Sequence, residues 1–166
     1  MISDFCEYKP SVEKGVFIAD NATVIGRARI AHDVSIWFGA IVRADINSIV
    51  IGAESNIQDL SVIHVTEKHQ VIIGKGVTIG HKGIVHGAEI GDFALIGMGA
   101  ILLDGCCIGE GSVVAAGALV TPGKQFPPYS LIIGSPAKLS RALTPEEITA
   151  YSGHYKKYLA LKDRYL

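Results

Sequence analysis

The sequence predicts an all-β solenoid, a parallel β-helix of hexapeptide repeats over residues 1–140, followed by a C-terminal α-helix over residues 141–166. Three observations lead there. An aliphatic residue, often followed by Gly, returns every six residues over most of the chain. Gly is abundant, 19 of 166 residues, against a usual share of about 7%. No helical period competes with the six-residue step between residues 20 and 135. The clearest series starts at Ile90-Gly91 and runs through Ile96-Gly97, Leu102, Ile108-Gly109, Val114 and Val120. Upstream, Ile73-Gly74, Ile79-Gly80 and Val85 keep the step, as do Ile51-Gly52, Ile57 and Ile63, and before them Ile30, Ile36 and Val42. A strand period of two broken every six residues is a short flat face followed by a corner, and three such faces make a coil of about 18 residues. The aliphatic residues then stack inward in columns, and the glycines fall where the backbone turns.

The repeat ends near "LIIGSPAK", residues 131–138. Thr144-Pro145-Glu146-Glu147 then reads as a helix start, with a Thr cap, Pro in the first turn and acids at the positive end of the dipole. Ile148, Tyr151, Tyr155, Leu159 and Lys162 follow at three- and four-residue steps. This predicts one helix of about 20 residues with an apolar, aromatic stripe packed on the solenoid wall or on a neighbouring subunit.

The chain length suits a single domain with a sizeable core. A net charge of -1 without a cluster of Lys or Arg gives no electrostatic footprint for nucleic acid. No apolar run approaches the length of about 18 residues needed to cross a bilayer, and the amino terminus, MISDFCEYKP, has early acids and no basic segment before an apolar block. The expectation is a cytoplasmic protein with no membrane partner. Cys6, Cys106 and Cys107 are odd in number and lack C-x-x-C spacing, which favours packing over a disulfide framework or a thiolate metal knuckle.

The polar residues gain meaning when each is numbered from the aliphatic residue that opens its hexapeptide. Arg43 follows Val42, His64 follows Ile63 and His86 follows Val85, so all three hold one offset. Ile63 and Val85 are 22 apart, one coil of about 18 with the surplus placed in the Thr66–Gln70 loop. The surplus between Val42 and Ile63 is placed before Ile51. Arg43, His64 and His86 then form a column with a spacing of about 4.8 Å, at which two imidazoles can share a metal. His81 lies on the preceding face, and 22 residues before it stands Asp59, beside Gln58. Within one subunit His81 points away from the His64/His86 pair. A neighbouring subunit supplies the missing direction, and repetition of that head-to-tail contact closes as a ring of three. The alternative for these histidines is a set of interface hydrogen bonds alone. His32, His69 and His154 fit no column and read as surface residues.

Three neutral imidazoles and an open position are the arrangement of a catalytic zinc site, at which water becomes nucleophilic near neutral pH. Gln58 has the chemistry to orient that water or the substrate without adding charge. Arg43, Asp45 and Asp59 read as interface ion pairs, with a secondary role in holding an anionic product.

The segments "SIWFGAIVRADINSIVIGAESNIQDLSVIHV" (35–65) and "IGHKGIVHGAEIGDFALIGMGA" (79–100) resemble the γ-class carbonic anhydrases, and the likeness extends over nearly the whole chain. The resemblance implies a left-handed β-helix and a homotrimer. It also implies zinc, with iron or cobalt as substitutes, held by His64 and His86 of one subunit and His81 of the next. The implied reaction is reversible hydration of carbon dioxide to bicarbonate, with Arg43, Asp45, Gln58 and Asp59 in the interface and active-site set and Tyr155 near the metal. Two departures stand out. Ile46 occupies a position where the prototype has Glu, and "TEKHQ" (66–70) replaces a long acidic loop that carries a proton-shuttle Glu. Glu67 and His69 are the candidates left for that task. Two other readings compete. Many trimeric β-helices of this kind are acyl-CoA transferases or thioesterases, and "GSPAK" (134–138) resembles their coenzyme segment, although it also serves to close the last coil. A trimeric metal-binding protein without hydration activity is the other.

Overall fold

The computed structural model describes all residues, Met1–Leu166. It is a left-handed parallel β-helix with three faces and a helical C-terminus. The first face stacks strands at Phe17–Ile18, Ser35–Ile36, Asn56–Ile57, Thr78–Ile79, Leu95–Ile96, Val113–Val114 and Ser130–Gly134. The second face runs through the starts of Thr23–Ile30 and Ile41–Ile51, then Val62–His64, Ile84–His86, Ile101–Leu102 and Leu119–Val120. The third takes the ends of those two long strands, then Val71–Ile73, Glu89–Ile90, Cys107–Ile108 and Gln125–Phe126. One column per face fills the interior. Ile36, Ile57, Ile79 and Ile96 come from the first, Val42, Ile63, Val85 and Leu102 from the second, and Ile51, Ile73, Ile90 and Ile108 from the third, all at most 2% exposed.

The coil is not uniformly 18 residues. Ile73 pairs with Ile90 and Ile79 with Ile96, each 17 residues on, because the corner from Val85 to Ile90 is one residue short. The corner beside it, from Ile63 to Ile73, is equally short once the five residues of the Thr66–Gln70 loop are set aside, since Gly87 N–H donates to the His64 carbonyl and Ile72 N–H to the Ala88 carbonyl; the 22-residue separation of His64 and His86 is then a coil of 17 with those five residues as surplus. The surplus after Val42 falls at Asp45–Ser48, where the pairing of the Thr23–Ile30 strand jumps from Gly26↔Ala44 to Ala28↔Ile49.

Most of the glycines in the coils fall into two classes. Those at Gly39, Gly99 and Gly117 have positive φ and occupy the corners. The Ile-Gly glycines are needed for close approach. A Cβ on Gly52 would lie 2.5 Å from the Gly74 carbonyl carbon, one on Gly74 2.7 Å from the Asp92 nitrogen, and one on Gly109 2.4 Å from the Pro128 nitrogen. Successive coils touch there through bare backbone.

The last coil is closed by an antiparallel hairpin in which Ser130–Gly134 pairs with Ala137–Ala142, and this is where the GSPAK segment lies. The single long helix expected after it is two. Helix α1 spans Pro145–Ser152 and helix α2 Tyr155–Lys162. Helix α1 opens with a complete capping box, Thr144 accepting from the Glu147 backbone and Glu147 accepting from the Thr144 backbone. It stops where Ser152 turns its hydroxyl back to the Ile148 carbonyl and Gly153 takes the C-cap. The break rotates the stripe. Tyr155, Tyr158, Leu161 and Lys162 face the solenoid, while Tyr151 is exposed. Helix α2 seats on the first face through an aromatic cluster in which Trp37 lies 5.6 Å from Tyr158 and 5.4 Å from Tyr165, ring centre to ring centre. The Lys162 ammonium, 2% exposed, bonds Asp33 at 3.1 Å and Asp163 at 2.6 Å. Burial opposes its charge, but the two carboxylates outweigh that and raise its pKa. Neither helix is long and apolar enough to cross a membrane. All three cysteines are free. Cys106 packs in the core, where burial pushes its thiol up to about 12, whereas Cys6 is exposed and Cys107 half-buried.

Two outcomes follow. Gly74→Ala forces coils apart and should lower the unfolding free energy by about 1–3 kcal/mol, read from urea denaturation. The Asp33 carboxyl is held below its ordinary value by hydrogen bonds from His32 and then Lys162, against a smaller effect of burial. A depressed carboxyl stabilises the fold above its unfolded pKa and loses that contribution as pH falls through the folded one. Acidification below about pH 4 should therefore release helix α2 first, seen as a change in the fluorescence of Trp37, the only tryptophan, before the β signal in circular dichroism is lost.

Candidate metal centre

The second face delivers Arg43, His64 and His86 as one column, in register Arg43↔His64 and His64↔His86. His64 Nδ1 and His86 Nε2 face each other at 3.1 Å. The other nitrogen of each ring is engaged by a carboxylate, His64 Nε2 by Asp45 Oδ1 at 3.1 Å and His86 Nδ1 by Asp104 Oδ1 at 2.5 Å. Asp45 is itself fixed by an ion pair with Arg43 and by the Ile46 backbone N–H, which donates to it at 3.0 Å. Burial pushes the Asp45 carboxyl up, but hydrogen bonds from Arg43, His64 and its own backbone outweigh this and leave it below its ordinary value. Burial, helped by the Arg43 charge and opposed by Asp45, pulls His64 below the usual imidazole value. The ring that faces His86 is therefore neutral and has a lone pair to offer at neutral pH.

The donor set fits a zinc ion. Two nitrogens each about 2.0–2.1 Å from a tetrahedral metal are about 3.3 Å apart, close to the 3.1 Å of the facing nitrogens. A carboxylate behind each ligating imidazole is the outer arrangement that orients rings and raises their basicity.

His81 sits on the corner between the first and second faces, and the Asp59 column is there. His81 Nδ1 lies 2.7 Å from Asp59 Oδ2, which leaves Nε2 off that carboxylate on a half-exposed ring. The His81 backbone N–H donates to Gln58 Oε1 at 3.2 Å, and Gln58 Nε2 donates to Asn56 Oδ1 at 3.1 Å. Within one chain no three potential ligands converge, so His81 stands apart from the His64/His86 pair. Tyr155 stands apart too. It packs on Phe93, ring centres 5.8 Å apart, beside Glu54 and Lys75 at the foot of helix α2.

The histidine pair opens into a cleft of about 490 Å3 lined by Ile46, Glu67, His69 and Asp104 among others. Ile46 thus brings an apolar wall, and Glu67 and His69 are groups with a transferable proton on the loop that lines the cleft. The Thr66–Gln70 loop is a tight turn, Thr66 N–H donating to the His69 carbonyl at 3.0 Å, and Asn47 Nδ2 ties it down through the Thr66 carbonyl at 3.0 Å. His154, expected at the surface, is half-buried against Tyr158 and Thr78.

Two residues escaped the sequence reading. Asp104 lies 18 residues beyond His86, one past the residue opposite His86, since Val85 pairs with Leu102; a nominal 18-residue step forward from His86 would have reached it. Asn56, 1% exposed, carries the Gln58 amide from two residues upstream, and its polar type on an otherwise apolar strand was the signal.

Comparison with known proteins gives the family. The bacterial transferase hexapeptide (six repeats) model matches residues 87–122. The chain is 41% identical to the gamma carbonic anhydrase 2, mitochondrial, of Arabidopsis thaliana over 92% of its own length and 57% of the relative's, so it spans a little over half of that protein. It is 42% identical to a carbonic anhydrase of Geobacillus kaustophilus over 96% of this chain and 87% of that one. Among solved structures, a hexapeptide transferase family protein from Anaplasma phagocytophilum superposes with a TM-score of 0.96 at 40% identity, covering 100% of this chain and 98% of that chain. Sequence and backbone agree along almost the whole length, and the chain belongs to the gamma carbonic anhydrase family.

Proposed function

We propose that three copies of the chain assemble so that His64 and His86 of one and His81 of the next hold a zinc ion, and that the site hydrates carbon dioxide reversibly to bicarbonate. The observation that carries this is the pair of facing imidazole nitrogens at 3.1 Å, each ring backed by a carboxylate. Bound there, zinc supplies a Lewis acid that makes water nucleophilic near neutral pH. Asp45, Asp104 and Asp59 hold the three rings in the tautomer that leaves one nitrogen free. Gln58, its amide set by Asn56, anchors the backbone of the His81 corner and keeps that ring in register. Arg43, pinned by Asp45, puts a positive charge beside the site where bicarbonate forms. Glu67 and His69 take the proton released to the cleft, in place of an acidic loop, and Ile46 keeps one wall dry for an apolar gas. Assembly is supported by the exposed apolar residues beside the histidines, Ile41 and Ile84 on the second face and Leu60 and Met98 on the corner next to it.

The test is metal content per chain together with stopped-flow hydration on the same sample. About one zinc per chain with hydration supports the reading. Metal without hydration favours a trimeric metal-binding protein, and no metal favours acyl transfer. His81→Ala should empty the site although His81 belongs to neither of the paired strands, and full occupancy in that variant would refute the shared geometry. Asp104→Asn should weaken zinc affinity by about 10–100-fold with the trimer intact, measured by competition with a chelator and by light scattering.

A further inference from the structure

The third face carries a second cleft, about 440 Å3, near its N-terminal end, lined by Lys9, Ser11, Arg27, Arg29, Ser48 and Gln70 together with apolar floor residues. No carboxylate lines it. Lys9 makes an exposed pair with Asp4 at 3.3 Å. The arginines that pair with acids elsewhere are Arg43 and Arg141, and Arg27 and Arg29 have no such partner. Arg27 stands at the irregularity between Gly26 and Ala28, where the surplus residues Asp45–Ser48 leave the ladder. Its guanidinium is seated over the Tyr8 ring, 4.3 Å from the centroid. Its Nε is the one buried side-chain polar atom in the molecule with no hydrogen-bond partner. Buried donors are nearly always paired, and Arg27 finds no such partner for Nε within the chain. Beside it, Ser48 Oγ donates to Gln70 Oε1 at 2.9 Å, which leaves the Gln70 amide NH2 to donate.

We propose that this cleft binds a phosphorylated small molecule, its phosphate clamped between Arg27 and Arg29. The guanidinium fork matches two oxygens of a phosphate. Two unpaired guanidinium charges balance a phosphate monoester of about -1.5 to -2 and exceed the single charge of a carboxylate. The volume falls within the range of about 300–1,000 Å3 typical of small-molecule sites, larger than a bare ion needs, and Ser11, Lys9 and Gln70 are donors left for the rest of the ligand. The Thr66–Gln70 loop separates this cleft from the histidine cleft, with Gln70 lining one and Glu67 and His69 the other. The proposal stands independently of the metal reading.

The test is an NMR titration of the full-length, 15N-labelled protein with inorganic phosphate, ribose 5-phosphate and acetate, with sodium chloride at matched ionic strength as the baseline. The arginine Nε–H resonances separate this cleft from any phosphate at the histidines. The expected result is saturable shifts of Arg27 and Arg29, at least tenfold tighter for ribose 5-phosphate than for inorganic phosphate, and weaker for acetate than for either. Arg29 is exposed, so Arg29→Gln should keep the thermal midpoint in phosphate-free buffer and lose at least tenfold in affinity, with Arg29→Lys in between. Shifts no larger than those of chloride, equal affinity for acetate, no gain from the ester, or an unchanged affinity in Arg29→Gln would each overturn the proposal.

Discussion

The constraint on which everything else depends is the hydrogen-bonded stacking of one coil on the next. Parallel strands about 4.8 Å apart turn a position along the chain into a position in space, so that residues one coil apart become neighbours. His64 and His86 are brought together by that ladder and by nothing else, since Val62–His64 and Ile84–His86 pair residue for residue. The buried Ile and Val columns hold the ladder in register, and the Ile-Gly glycines let the coils come close enough for it to form. Extra chain is tolerated only where it loops out. Both insertions, Asp45–Ser48 and Thr66–Gln70, leave the ladder at the edge of the second face, and both end up around the histidine pair.

Much of this was legible beforehand because the solenoid converts counting into geometry. The Arg43/His64/His86 column, the Asp59 partner of His81, the position of both insertions and the capped start of helix α1 all follow from offsets within a repeat. What stayed hidden had local causes. The corner from Ile63 to Ile73, short like the Val85–Ile90 corner stacked on it, left the surplus at Thr66–Gln70 one residue too small in the count, because a shortened corner and a longer loop add up to the same separation. The helix break at Gly153 is decided by a Ser152 side chain that bonds its own backbone, an interaction the apolar period does not record. Tyr155 keeps the expected helical stripe, yet the wall it meets is Phe93 and Glu54 rather than the histidines. Asp104 lies outside the segments that drew attention, although the same arithmetic reaches it.

The electrostatics of the histidines follow one pattern. His64, His86 and, on its own corner, His81 each have one ring nitrogen engaged by a carboxylate, which orients the ring and leaves its other nitrogen off that carboxylate. Arg43 offsets part of the negative charge at Asp45. Ile46 gives the cleft one apolar wall, and its carboxylates are Asp104, bound to His86, and Glu67 on the short Thr66–Gln70 turn. The turn is braced by Asn47 and Ser48, both from the other insertion, so the two departures from regular coil length hold each other in place.

The antiparallel hairpin at the end of the stack has a consequence for the life of the molecule in a crowded solution. A parallel β-solenoid presents at its last coil a row of unpaired backbone donors and acceptors in the register that another coil would accept, which is the geometry of a growing fibre. By reversing direction at Ser130–Ala142, the chain spends its final strand as a plug whose polarity does not match the coils beneath it. On the first face, end-to-end addition of another coil in the parallel register is thereby disfavoured.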